Sequence, residues 1–131
     1  MIFVDTGAWF AVFSRRDVSH SAATTFIRSI VEPLVTTDYV VDETLTLLRV
    51  RGERRRAIAF GDRVLNGGWA GIVRVDESDF AAAWTLFRSF QDKDWSFTDC
   101  TSRVVMERLN VQTAFAFDEH FRQFGNVNVL P

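Results

Sequence analysis

At 131 residues, 47% of them hydrophobic, the chain has the length for one domain, spanning 1–131, and is too apolar to stay disordered. No apolar run approaches the roughly 20 residues of a membrane span, and the N-terminus lacks a signal-peptide pattern; with Cys100 as its single cysteine the chain forms no internal disulfide, in keeping with a reducing, cytoplasmic setting. The net charge of −2 says little, but of the 15 basic residues only Lys93 is lysine, and arginine forks match phosphate geometry well.

Ile2-Phe3-Val4 reads as a buried strand that delivers Asp5 at its carboxyl end, and Gly7 lets the backbone turn into a helix over Ala8 to Phe13. Asp5 by itself is equally a helix cap. After the polar link Ser14 to Val18, Ser19 is positioned to cap a helix from His20 to Val31, with Ala23, Phe26, Ile27 and Ile30 inward, and Pro33 ends it. Leu34 to Thr36 forms a second strand. Thr37 or Asp38 caps a third helix, Tyr39 to Val50, whose stripe Val40, Glu43, Leu47, Val50 places a carboxylate on an apolar face. A fourth helix spans Glu53 to Leu65, with Ile58 and Val64 inward, and stops at Asn66-Gly67-Gly68. Gly71 to Val75 is a third strand. Acids from Asp76 to Asp79 open a long helix at its positive end, and a polar loop, Gln91 to Ser96, follows it. The next helix runs from Phe97 to about Leu109. Gln112 to Phe117 is a fourth strand ending at Asp118, then a short helical turn to Phe124 and an edge strand over Val127 to Val129. Strands alternating with helices of crossover length predict an α/β/α sandwich with a four- to five-stranded parallel sheet.

In such a sheet, strand ends and the starts of helices share one edge, where ligands bind. Asp5, Glu43, Asp99 and Asp118 all fall there, and Asp5 neighbours Asp118 if the first and fourth strands are adjacent. Carboxylates gathered in one cleft repel and stay ionised cheaply only around a cation. An oxygen-only set suits Mg²⁺ or Mn²⁺. Each acid also has an ordinary reading, as a cap or a solvated charge.

The pieces Phe3-Val4-Asp5-Thr6-Gly7-Ala8-Trp9, Thr36-Thr37-Asp38-Tyr39-Val40-Val41-Asp42-Glu43-Thr44, Trp95-Ser96-Phe97-Thr98-Asp99-Cys100 and Ala116-Phe117-Asp118-Glu119-His120-Phe121 resemble, in order, the PIN-domain family, and within it the VapC-type toxins of bacterial toxin–antitoxin pairs. The likeness covers essentially the whole chain. It implies acidic metal ligands at Asp5, Glu43, Asp99 and Asp118, with the Thr6 hydroxyl in support. It also implies a Mg²⁺- or Mn²⁺-dependent endoribonuclease, an RNA substrate, a homodimer and a cognate antitoxin partner. PIN domains serve in RNA processing too, so toxin status stays open.

Arg49, Arg51, Arg54, Arg55 and Arg56 form a basic patch that can hold an RNA backbone, or a solvated face paired with Glu53 and Asp62. His20 reads as exposed, His120 as a surface or packing residue near the site, Cys100 as a small buried residue, and Trp95 and Phe97 as core or loop anchors. Two rivals remain: a non-catalytic binding module, which the intact acid set disfavours, and an aspartyl phosphotransfer domain, which needs a lysine near a later strand where only Lys93, in a loop, is on offer.

Overall fold

The computed structural model describes residues 1–131. Strands β1 (Ile2–Val4), β2 (Leu34–Thr37), β3 (Gly71–Val73), β4 (Thr113–Phe115) and β5 (Asn128–Leu130) alternate with helices α1 (Thr6–Phe13), α2 (His20–Ser29), α3 (Asp38–Val50), α4 (Arg54–Gly61), α5 (Glu77–Ser89) and α6 (Phe97–Arg108). The sheet is wholly parallel, in the order β3-β2-β1-β4-β5. The chain steps from β1 out to β3 and then crosses back to β4. Right-handed crossovers in opposite directions put helices on both faces. The reversal falls at the β1–β4 junction, where the crevice of an open sheet forms.

The core explains the aromatic content. Trp9, Phe3, Phe13, Phe60, Phe115 and Phe121 are completely buried. Trp9 packs edge-on against Phe60 at 5.5 Å between ring centres and lies 5.7 Å from Trp69. Its indole Nε1 donates to Thr36 Oγ1 at 3.3 Å, and that hydroxyl donates to the Val4 carbonyl at 2.9 Å. This fastens α1 across the ends of β1 and β2, next to Asp5. Thr37 is the cap of α3, its Oγ1 accepting the Val40 N–H at 3.1 Å. Asp38 instead accepts the Val75 N–H at 2.9 Å and ties the start of α3 to the end of β3.

Several boundaries and faces differ from expectation. The buried residues of α3 are Val40, Val41, Thr44 and Leu48, so the stripe through Glu43, Leu47 and Val50 is turned outward by about one residue, and Val50 is exposed. Apolar residues mark two stripes on this helix, and packing against α1 and α4 selects one. On α4, Ile58 is exposed while Val64 is buried. This helix ends at Gly61 and continues as a π-helical turn, Asp62–Asn66. The turn closes at Gly67, where a side-chain carbon would sit 2.6 Å from the Arg63 carbonyl oxygen. Helix α2 ends at Ser29, leaving Val31 in solvent. β3 stops at Val73 and β4 at Phe115, short of Val75 and Asp118. The ladder beside β4 ends at Leu130, whose carbonyl accepts the Ala116 N–H at 3.1 Å. His20 is half-buried, its Nδ1 lying 2.8 Å from the Ala11 carbonyl, and so joins α2 to α1 rather than standing exposed.

Candidate active site

Asp5 follows β1 directly and is the N-cap of α1. Its backbone N–H donates to the Phe115 carbonyl of β4 at 3.1 Å, which places it in the β1–β4 crevice. The side chain is buried and accepts a long bond, 3.4 Å, from the Gly7 N–H, with the Thr6 N–H also lowering its carboxyl somewhat. Burial pushes its carboxyl well above the usual range, and the neighbouring charges of Asp118, then Asp99, add to the rise, with Glu43 contributing least. The structure therefore brings the other three acids into the electrostatic surroundings of Asp5. They come from three further elements.

Asp99 sits in the first turn of α6, in a capping box: its Oδ2 accepts the Ser96 N–H at 3.0 Å while Ser96 Oγ accepts the Asp99 N–H at 3.0 Å. The helix-start role and the site role thus fall on one residue. Burial raises its carboxyl, partly offset by the Ser96 N–H and by His120. Asp118 lies in the loop after β4 rather than at its last residue, 43% exposed, with Oδ1 accepting the His120 N–H at 3.1 Å. Glu43, on the second turn of α3, is half-buried and borders a surface groove with Asp42, Thr46, Leu47, Val50 and Thr98.

His120, expected as a surface or packing residue near the site, is 30% exposed and touches two of the acids. Its Nδ1 lies 2.7 Å from Asp99 Oδ2 and 3.9 Å from Asp118 Oδ2. One ligand atom from each of Asp99, Asp118 and His120 falls within 4.8 Å of the others, so the cluster can hold a metal ion. The only local signal was its place two residues after Asp118. Thr6 Oγ1 is buried beside Asp5 with no hydrogen-bond partner. A buried, crowded carboxylate and an orphaned hydroxyl are what a divalent cation and its water shell would satisfy, and the oxygen-rich donor set suits a hard cation.

The remaining candidates separate cleanly. Arg49, Arg51, Arg54 and Arg55 are exposed at the α3–α4 junction and enter none of the ion pairs; Glu53 pairs with Arg16 instead, at 3.6 Å. Arg56 is structural, with Nε donating to the Phe13 carbonyl and the guanidinium 5.5 Å from the Phe13 ring centre. Cys100 is buried and its thiol is pushed up to about 11, which leaves it unreactive as a nucleophile. Trp95 is a buried anchor whose Nε1 donates to Gln123 Oε1 at 3.0 Å. Lys93 pairs with Asp92 at 3.7 Å.

Acids near the carboxyl edge of a parallel sheet, among them a cluster able to hold a divalent cation, suit cation-assisted hydrolysis. The sequence pattern of the PIN domain matches residues 2–127. The 23S rRNA-specific endonuclease VapC20 of Mycobacterium tuberculosis is 35% identical over 134 aligned positions, which cover 100% of this chain and 99% of that one. A VapC ribonuclease of Archaeoglobus fulgidus is 30% identical over 123 positions, 90% of this chain and 77% of its own. The crystal structure of Mycobacterium tuberculosis VapC20, described as a Sarcin-Ricin loop cleaving toxin, superposes over 100% of both chains with a TM-score of 0.93 at 31% identity. FitAcB from Neisseria gonorrhoeae shares the fold at a TM-score of 0.72 and 16% identity, over 100% of this chain and 97% of that one. The chain belongs to the PIN-domain family, as a ribonuclease of the VapC type. No helix is long and apolar enough to cross a membrane.

Proposed function

We propose that this ribonuclease uses Asp5, Glu43, Asp99 and Asp118 as its catalytic acids and as the ligands of Mg²⁺ or Mn²⁺, with Thr6 in support. The observation that carries this reading is Asp5: a carboxylate buried in the β1–β4 crevice and facing the like charges of Asp118, Asp99 and Glu43. When bound, divalent cations neutralise phosphate charge and make an attacking water more acidic. The chain's own residues do the rest. Asp5 and Asp99 are held by helix starts at fixed positions, and Asp118 and Glu43 approach from loop and helix on either side. The reaction is hydrolysis: water attacks an RNA phosphodiester in line, leaving 5′-phosphate and 3′-hydroxyl ends.

The substrate is ribosomal RNA of the large subunit, with the sarcin–ricin loop as the target. This carries over from VapC20, which the chain matches from end to end. Arg49, Arg51, Arg54 and Arg55 hold the RNA backbone at phosphates away from the cut. The protein acts as the toxin of a toxin–antitoxin pair, with a cognate antitoxin covering it. It works as a homodimer. Phe80, Trp84 and Phe87 of α5 and its C-cap residue Phe90 are 40–52% exposed, and Trp84 and Phe87 stack at 6.0 Å, an exposed aromatic cluster of the kind that a partner surface covers. Light scattering is expected to give about twice the 15.0 kDa chain mass, and Trp84→Glu to return a monomer.

The decisive experiment incubates the protein with ribosomes and with total RNA, in Mn²⁺ or in chelator, and maps the ends. Metal-dependent cleavage in the large-subunit RNA is expected. Cleavage of other RNA alone would remove the substrate assignment and favour a processing nuclease. Undiminished cleavage in chelator would remove the metal role.

A further inference from the structure

Asp99 spends one carboxylate oxygen twice. Oδ2 accepts the Ser96 N–H at 3.0 Å and faces His120 Nδ1 at 2.7 Å. A carboxylate oxygen that already takes a backbone N–H is an acceptor, so Nδ1 is the donor in this contact. The same residue reaches the other acid through its main chain, where the His120 N–H donates to Asp118 Oδ1 at 3.1 Å. His120 thus spans two acids that come from different elements, α6 and the loop after β4. Its own position is fixed from behind: Phe121, completely buried, stacks with Phe3 of β1 at 6.0 Å and lies 4.7 Å from Phe124. The imidazole is 30% exposed, and nothing in the proposed chemistry uses it.

We propose that His120 is a positioning residue of the cation site: its ring holds Asp99 and its main chain holds Asp118, each by one oxygen, leaving the second oxygen of each for the cation. The proposal rests on the metal-site reading above. The physical reason is the freedom of a carboxylate to rotate about its last bond, which a donor on one oxygen removes. Holding both acids before the cation arrives lowers the ordering cost of binding it. Partners that orient ligands in this way typically alter metal affinity by about 10- to 100-fold when lost.

Three variants separate this role from others. His120→Asn places an amide nitrogen near the position of Nδ1. His120→Gln carries its amide out towards the position of Nε2. His120→Ala removes both. Mn²⁺ affinity is measured by calorimetry on each folded protein, beside melting without metal and cleavage over a range of Mn²⁺. In the wild type, long-range proton–nitrogen spectra should show the proton on Nδ1 of His120. His120→Ala is expected to weaken Mn²⁺ binding about 10- to 100-fold, with cleavage recovering as Mn²⁺ is raised. His120→Asn should stay near the wild type, and His120→Gln should resemble His120→Ala. Unchanged affinity in His120→Ala overturns the proposal, as does loss in His120→Asn, which would place the function on Nε2. A wild type that binds no Mn²⁺ removes the metal site itself, a separate failure visible before any variant is made.

Discussion

Asp5 and Asp79 are equally hidden, each 2% exposed, and their surroundings drive them in opposite directions. Arg108 grips Asp79 with two bonds, Nε to Oδ1 at 2.9 Å and Nη2 to Oδ2 at 2.7 Å, and holds its carboxyl below the usual range, helped by the Asp76 N–H. That pair joins the start of α5 to the end of α6. At the other end of α6 stands Asp99, and with it the crevice where burial and like charges push Asp5 upward. Burial raises both carboxyls; at Asp79 the Arg108 hydrogen bonds outweigh it, while at Asp5 like charges add to it. One aspartate is complete within the chain and serves stability. The other faces the like charges of Asp118, Asp99 and Glu43, with no cationic side chain paired to it.

The contrast can be broken by neutralising each side in turn. Asp5→Asn is expected to reduce RNA cleavage by roughly 10³-fold or more, while the metal-free protein melts no lower than the wild type, because the lost charge was repelled. A variant that cuts RNA at the normal rate would end the assignment. Asp79→Asn should do the reverse. It leaves cleavage per folded molecule intact and costs about 2 kcal/mol of stability, a fall of roughly 5–10 °C in Tm by scanning calorimetry.

Adding Mn²⁺ at about ten times its Kd should stabilise the wild type by about 1.4 kcal/mol. The same addition should leave Asp5→Asn unmoved, and an equal gain there would mean the ion binds elsewhere. The Asp79 contribution has its own pH signature. Its carboxyl is held low in the folded state, so the stabilisation is present above the ordinary aspartate value of about 3.9 and fades as pH falls through the lowered one. Denaturation curves of wild type and Asp79→Asn should therefore converge only in strong acid. The smallest effect is on RNA affinity. Replacing Arg54 and Arg55 with Ala should flatten the salt dependence by about 0.7 to 0.9 in slope for each phosphate contact removed, with no change in Tm.

Much of this protein was legible before folding was considered. β1 and its terminal acid, the glycine turn at Gly67, the helix start at Phe97 and the alternation of strands and helices all follow from chemistry between residues a few positions apart. The acids were identifiable because Asp5 and Asp118 end apolar segments, Glu43 interrupts an apolar stripe and Asp99 opens a helix, and the arginines because they cluster between positions 49 and 56. The inward face of α3 was not legible, since Val40, Val41, Leu47, Leu48 and Val50 offer two apolar stripes and a single helix cannot choose between them. Nor was the grip of His120 on Asp99, two side chains 21 positions apart whose approach depends on how β4 and α6 dock. The amino-acid order by itself determined which segments become strands, which become helices and where the carboxylates punctuate them, because propensity, capping and turn preferences act locally. The packed structure alone decided that Asp99, Asp118 and His120 come within 4.8 Å of one another near Asp5, and that Arg108 pairs with Asp79 while like charges face Asp5, because charge interactions depend on distances through space that no local preference sets.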